Sequence, residues 1–272
     1  MGARFHVVRL LLVPSLIAVS ILPTRAQAQE QSTAELAKAA QNPIANMMSF
    51  PFQNNTNFDL GGSGRNQNVL NIQPVLPFYN GRLITRTIIP LVWQPDMQSA
   101  DGTSFGVGDM LFTAFYAPPS EGVTWGIGPV VSLPIGKSGF GSEKWGLGPS
   151  AVALAMPGQW VVGALINNVW SIGGDGTTAK VNVMTLQPFI NYNFPDFYFT
   201  FSPVITANWE ASNGQQWTVP LGLGAGKLLR VGSKGLPINV NVSYYSNVVR
   251  PDNAANWTLR AMVVVLVPTS VL

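Results

Sequence analysis

The side chains of this 272-residue chain that could do chemistry are a few charged groups within otherwise uncharged segments. Five of them interrupt such segments: Arg82, Arg86, Asp109, Glu210 and Arg260. Arg82 and Arg86 are four residues apart, so on a β-strand both side chains point to the same face. Inside a membrane barrel, charges of this kind set the electrostatic selectivity of a passage. The alternative is that they pair with one another and fill a narrow interior, and Asp109, beside two glycines, also fits a loop end.

The chain has one histidine and no cysteine, and this excludes several kinds of active site. His6 lies in a predicted export signal, so the mature protein has neither residue type. A Ser-His-Asp triad, a Cys-His nucleophile and a zinc or copper site built on imidazole or thiolate are therefore excluded. Asp109 and Glu210 have no spacing that pairs them for acid–base chemistry. We expect no enzymatic activity, a lipid hydrolase included, and no cofactor.

The N-terminus has the pattern of a secretory signal peptide. Arg4 and Arg9 precede an apolar run from Leu10 to Leu22, and Ala26-Gln27-Ala28 has the small-x-small form of a cleavage site. The run is shorter than the about 20 apolar residues that span a bilayer. We predict a signal peptide over residues 1–28, whose removal takes away 3 of the 15 basic residues and leaves 12 against 12 acidic ones. A neutral chain does not favour nucleic acid as a partner.

From residue 47 onward, apolar and polar residues alternate with the period of two that indicates half-polar β-strands. Asn71 and Gln73 lie on the polar face of one such strand, and Gln187 and Asn191 on that of another. About twelve strands follow one another, with tight turns near residues 80, 119, 157, 195 and 233 and longer links between them. This rhythm is typical of an antiparallel up-and-down β-barrel, predicted over residues 47–272.

The composition favours a membrane barrel over a soluble one. Only 10% of the residues are charged, against about 25% in an average soluble domain. The polar strand faces carry mainly Asn, Gln, Ser, Thr and Gly, which suits a wet lumen with the apolar faces turned to lipid. The eight tryptophans fall near strand ends, where a membrane–water boundary would favour them. We therefore predict a transmembrane barrel in contact with outer-membrane lipid.

A short helical segment precedes the barrel, over residues 29–46. Ser32 and Glu35 have the spacing of a capping box, and the alanines that follow favour helix. Pro43 is expected to end or kink it. The segment is a mobile tail, a small plug in the lumen or a periplasmic helix.

Several sequence blocks resemble one family of Gram-negative outer-membrane proteins. It is the transporter family grouped with MetA-pathway phenol-degradation proteins, whose members are sometimes mislabelled neuromedin U. The resemblance extends over nearly all of residues 42–260, and it implies a β-barrel with a transport role. The blocks that carry it are Asn42–Ile44, Phe50–Asn55, Leu70–Pro74, Leu83–Thr87, Phe105–Asp109, Lys144–Pro149, Asn167–Ser171 and Asn247–Asp252.

The sequence as a whole predicts a porin-like barrel that the insertion machinery places in the outer membrane. Twelve strands leave a modest lumen, between the filled eight-stranded barrels and the wide porins. The leading hypothesis is passive passage of small solutes, to which the family grouping adds hydrophobic or aromatic ones. The alternative is a barrel that transports nothing and serves as a structural or surface-binding scaffold. The candidate lumen residues are Arg82, Arg86, Asp109, Glu210, Arg260, Asn71, Gln73, Gln187 and Asn191.

Overall fold

The computed structural model describes residues 32–96, 102–174, 176–233 and 235–267. The predicted signal peptide, residues 1–28, lies outside the described residues, as do the first three residues predicted to follow it. The described part of the chain begins with a helix, Thr33–Ala40, and continues as β-strands. No helix in these ranges has the length and apolar character needed to cross a membrane.

Twelve antiparallel strands form the body of the protein. Nine are continuous, and three consist of two segments each. In chain order the strands are Met48–Leu60, Gln67–Ile72 with Val75–Phe78, Leu83–Pro95, Thr103–Val107 with Met110–Tyr116, Val123–Leu133, Lys144–Ala155, Trp160–Gly174, Asn182–Asn193, Tyr198–Phe201 with Ile205–Asn208, Trp217–Val231, Leu236–Val249 and Ala255–Val267.

The strands close into an up-and-down barrel, as the alternating pattern predicted. Each strand pairs with its neighbours in the chain, and the first pairs with the twelfth from Met48 opposite Val267 to Leu60 opposite Ala255. Closure removes the free edges that a lipid environment does not tolerate. Pro74 and Pro203 lie in two of the three strand interruptions, since proline has no N–H to donate to the ladder.

Connections at the two ends of the barrel differ in length, which confirms the predicted rhythm. At one end, here the tight-turn end, five connections have four to six residues each. At the other, here the loop end, six connections have five to ten residues each. The first strand starts at Met48 at the tight-turn end, so the N-terminal helix must lie at that end too.

The outer surface of the barrel is apolar and the inner surface is mixed. Along the sixth strand, Trp145 and Leu147 are 48% and 42% exposed, whereas the alternating Gly146, Gly148 and Ser150 are buried. Seven of the eight tryptophans are more than a third exposed and lie near both ends of the barrel. A soluble protein rarely exposes so much apolar surface, so this outer face is suited to lipid with aromatic residues at its borders.

The helix begins with the predicted capping box. The Ser32 N–H donates to Glu35 Oε2 at 2.9 Å, and the Glu35 N–H donates to Ser32 Oγ at 3.2 Å. Leu36 is 3% exposed and packs against Leu228, Val264 and Leu266 on the inner face of the barrel wall. The helix is therefore held by side chains that line the barrel interior.

Replacing Gly148 with alanine should strongly destabilise the barrel. A Cβ atom at this position would lie 1.6 Å from the backbone oxygen of Asn168 on the neighbouring strand, and neither backbone can move without breaking the ladder. We expect a loss of at least about 3 kcal/mol in the free energy of unfolding, at the upper end for overpacking. Urea titration of the refolded protein measures it. Gly173→Ala is the matched control, because its Cβ would meet nothing within 4 Å; equal losses for both variants would contradict this account.

Candidate functional site

The barrel encloses two adjoining cavities. The larger, here the loop-end cavity, has a volume of about 470 Å³ and is lined towards the loops by residues such as Asn57, Gln67 and Asn247. The smaller, here the helix-side cavity, has a volume of about 130 Å³ and is lined in part by the chain that follows the helix, residues 40–43. Seven residues line both cavities and so mark the narrow level between them: Gln53, Gln73, Arg86, Leu165, Gln187, Tyr245 and Arg260.

Six of the nine predicted lumen residues line these cavities. Asn71 faces the loop-end cavity and Asn191 faces the helix-side cavity. Gln73, Gln187, Arg86 and Arg260 line both. The period-two pattern predicted these six residues correctly as cavity-lining, because inward and outward side chains alternate regularly in this part of the barrel. Arg82, Asp109 and Glu210 line neither cavity.

Arg82 and Glu210 lie outside the lumen, which corrects their predicted placement. Arg82 is exposed and ends the turn before the third strand, its N–H donating to the oxygen of Tyr79 at 3.2 Å. Glu210 is exposed in the loop that follows the ninth strand, and its N–H donates to Asn208 Oδ1 at 3.1 Å. In both cases the alternation of inward and outward residues was extended beyond the strand. The backbone turns there, so the spacing between residues no longer determines which side chains point into the lumen.

Asp109 holds a loop rather than the lumen. It lies at the interruption of the fourth strand, and its carboxylate accepts hydrogen bonds from the backbone N–H groups of Gly136 and Ser142 at 3.1 and 2.6 Å. The Ser142 hydroxyl donates to the same carboxylate at 2.6 Å. The loop between the fifth and sixth strands is therefore tied to the barrel wall.

Replacing Asp109 with alanine should release this loop. Hydrogen bonds to a charged group contribute about 1.5–3 kcal/mol each. A change of about 1.4 kcal/mol already alters an equilibrium constant tenfold, so losing three such bonds should raise the open fraction of the loop by more than tenfold. We expect trypsin to cut after the exposed Lys137 at least about ten times faster, measured by gel densitometry on the folded protein. Glu121→Gln, in an exposed turn, should leave the rate unchanged. A rate in Asp109→Ala equal to that control would contradict the assignment.

The two lumen arginines have neutral partners only. Arg86 Nη2 donates to Gln73 Oε1 at 2.6 Å. Arg260 donates from Nε to Asn55 Oδ1 at 2.9 Å and from Nη1 to the backbone oxygen of Ser202 at 2.8 Å. Its guanidinium carbon also lies 4.8 Å from the centre of the Tyr245 ring, a cation–π contact. Among the described residues neither arginine meets a carboxylate, so these arginines do not belong to an ion-pair network that fills the barrel.

Tyr245 is a lumen residue that the sequence analysis missed. It is 1% exposed and lines both cavities. Its position was available in the sequence, because Asn239, Asn241 and Ser243 precede it on the same polar face at intervals of two.

The tight-turn end of the lumen is filled by the N-terminal segment, residues 32–47, here the plug segment. Gln41 and Asn193 exchange amide hydrogen bonds at 2.7 and 3.2 Å, and Lys38 Nζ donates to the backbone oxygen of Gly158 in a tight turn. Ile44 packs into an apolar cluster with inward-facing residues that include Ile84 and Phe115. The plug segment thus adds apolar packing at the tight-turn end, while most of the residues that line both cavities are polar.

The chemistry available in the lumen is hydrogen bonding and positive charge. Neither cavity is lined by a described Asp, Glu, Lys or His residue. Within the described ranges, no three His, Cys, Asp or Glu side chains are close enough to hold a metal ion. The arrangement can bind and guide a solute through amide, hydroxyl and guanidinium groups.

Solved structures with the same architecture are outer-membrane barrels. An outer membrane channel from Pseudomonas putida has a TM-score of 0.56 and 16% identity, with 81% of this chain and 96% of that one covered. The NanC porin has a TM-score of 0.50 and 12% identity, with 80% and 98% covered. At these identities the likeness shows the fold: a closed barrel of the outer-membrane channel and porin type.

Sequence comparison points to one family. No curated protein sequence matches this chain. Residues 66–171 match the family model described as "Putative MetA-pathway of phenol degradation". This range covers the second to sixth strands and most of the seventh. The match confirms the predicted resemblance of this chain to the MetA-pathway phenol-degradation family.

Proposed function

We propose that this protein is a channel of the Gram-negative outer membrane through which small solutes pass passively. The observation that carries the proposal is the closed barrel whose inner wall, at the narrow level, consists of three amides, a tyrosine, a leucine and two arginines with neutral partners. A barrel that served only as a scaffold would gain stability by pairing or replacing these charges. Accessible polar groups around a cavity of about 470 Å³ suit a passing solute instead.

The outer membrane is the proposed location, reached by way of the signal peptide over residues 1–28 and the barrel-insertion machinery. The apolar, tryptophan-bordered outer face supports a lipid environment. The barrel fold shared with outer-membrane channels supports the same membrane. The family grouping supports hydrophobic or aromatic compounds among the solutes, and Leu165 and Phe189 in the lining of the helix-side cavity offer them apolar contacts.

The plug segment is proposed to restrict the passage at the tight-turn end. It leaves a cavity of about 130 Å³ beside it, against about 470 Å³ on the loop side. Its contacts with the wall are a few hydrogen bonds and two apolar clusters, one around Leu36 and one around Ile44. A segment held in this way can open locally at a small cost in free energy compared with unfolding the barrel.

Single-channel recording of the refolded mature chain, residues 29–272, in a planar bilayer tests the proposal. We expect discrete conductance steps, small because of the plug segment. Gln187→Trp, which places a large side chain at the narrow level, should reduce them, whereas Arg82→Gln at the exposed turn should not. Silence from a demonstrably folded barrel, with the plug segment in place and displaced, would favour the non-transporting scaffold.

A further inference from the structure

The lumen carries positive charge without a protein counter-charge. Arg86 and Arg260 are the charged residues among the described lining of both cavities. Their partners among the described residues are two amide oxygens, one backbone oxygen and an aromatic ring. A buried charge without an opposite charge is costly. Such a pair is retained at low cost only if water or an anion from outside the chain solvates it.

Both guanidinium groups keep donors that the protein does not use. Arg86 bonds through Nη2 alone, and Arg260 bonds through Nε and Nη1. A guanidinium group has five N–H donors in a planar fork that matches the two oxygens of a carboxylate. The unused donors belong to side chains that line both cavities, so a ligand at the narrow level can reach them.

A third donor is independent of the two arginines. The Tyr245 hydroxyl is buried and has no hydrogen-bond partner, although a buried hydroxyl normally finds one. Tyr245 lines both cavities and lies against the Arg260 guanidinium. A buried, unpartnered hydroxyl beside a cation is the arrangement expected where an oxyanion completes the hydrogen bonding.

We propose that Arg86, Arg260 and Tyr245 form a binding site for an organic carboxylate at the narrow level of the lumen. The apolar body of the ligand would lie against Leu165 and Phe189, which line the helix-side cavity next to these donors. The site selects small anions that join a carboxylate to an apolar group. This inference rests on the proposed function for its role in passage, but binding itself can be measured without transport.

Calorimetric titration of the folded, detergent-solubilised mature chain with benzoate and with benzamide tests the site. Benzamide has the same shape without the charge, so it cannot form charge-assisted hydrogen bonds with the arginines. We therefore expect benzoate to bind at least about ten times more tightly than benzamide. Arg86→Gln should weaken benzoate binding by about tenfold or more. Arg82→Gln, which lies outside both cavities, should leave it unchanged.

Tyr245→Phe provides the sharpest variant, because the hydroxyl makes no hydrogen bond in the folded protein. The variant should therefore fold with unchanged stability in urea while benzoate binds at least about ten times more weakly, the effect expected for one hydrogen bond to a charged group. Arg260 also ties the twelfth strand to Ser202, so its removal confounds binding with folding. Tyr245→Phe and Arg86→Gln carry the test for this reason.

Equal affinity for benzoate and benzamide would overturn the site, as would benzoate binding that neither variant weakens. The outcome is separable from that of the channel proposal. Benzoate binding with the expected variants but no conductance would leave the site standing and reject the channel. Conductance without discrimination between the two ligands would leave the channel standing and reject the site.

Discussion

Replacing Leu36 with glutamate is expected to raise the single-channel conductance severalfold. Leu36 is 3% exposed and packs against Leu228, Val264 and Leu266 inside the barrel. A carboxylate in this apolar contact would have no partner. The free energy needed to bury it exceeds the stabilisation that the contacts of the plug segment provide. The segment should leave the lumen, while the barrel itself, closed by its own ladder, stays folded.

Ala34→Glu is the matched control for this variant. It adds the same charge two residues away at an exposed position of the same helix, so its conductance should equal that of the unchanged chain. The single-channel conductances of the unchanged chain, Leu36→Glu and Ala34→Glu are compared under one salt condition. Equal conductance in Leu36→Glu and Ala34→Glu, with both barrels folded, would show that the plug segment does not limit the passage.

Replacing Arg86 and Arg260 together with glutamine is expected to abolish anion selectivity. With two positive charges and no described negative one among the lining of the narrow level, the unchanged channel should pass chloride several times more readily than potassium. The double variant removes the field while it keeps polar side chains in place, and it is recorded only after the barrel is shown to be folded, because Arg260 also ties the twelfth strand to Ser202. The reversal potential in a salt gradient measures the ratio and should move close to zero.

Arg86→Glu repeats this test with one substitution, because its negative charge offsets that of Arg260 and should also move the reversal potential close to zero. Arg82→Gln removes an equal charge from the exposed turn and should leave selectivity unchanged, since short-range fields at a constriction dominate over screened surface charges. A cation-selective unchanged channel, or selectivity that follows Arg82 as closely as Arg86, would contradict the assignment.

The barrel could be predicted from sequence because its determinants are local. Inward and outward residues alternate along a strand, so the inward orientation of Asn71 and Gln73 could be predicted without knowing which strand pairs with theirs. Turn residues fixed the order of short and long connections in the same way. The strand interruption at Gly108–Asp109 could not be predicted, because it depends on where the loop of Gly136 and Ser142 returns to the wall.

The candidate site was harder to predict, because whether a residue lines the lumen depends on where its strand begins and ends. Arg82 and Arg86 share a face by spacing, yet the third strand starts at Leu83, and only Arg86 reaches the lumen. The neutral partners of Arg260 lie on the first and ninth strands, far apart in sequence. The free hydroxyl of Tyr245 is a property of packing across the lumen, which no pattern in one strand contains.

Flux of benzenesulfonate into proteoliposomes tests most directly whether the lumen is a passage for small solutes. This aromatic anion keeps its charge at neutral pH and so crosses lipid slowly by itself. We expect protein-dependent entry that Leu36→Glu accelerates and Gln187→Trp slows. Entry no faster than in protein-free vesicles, for both the unchanged chain and Leu36→Glu in their folded state, would contradict the account and leave a barrel that transports nothing.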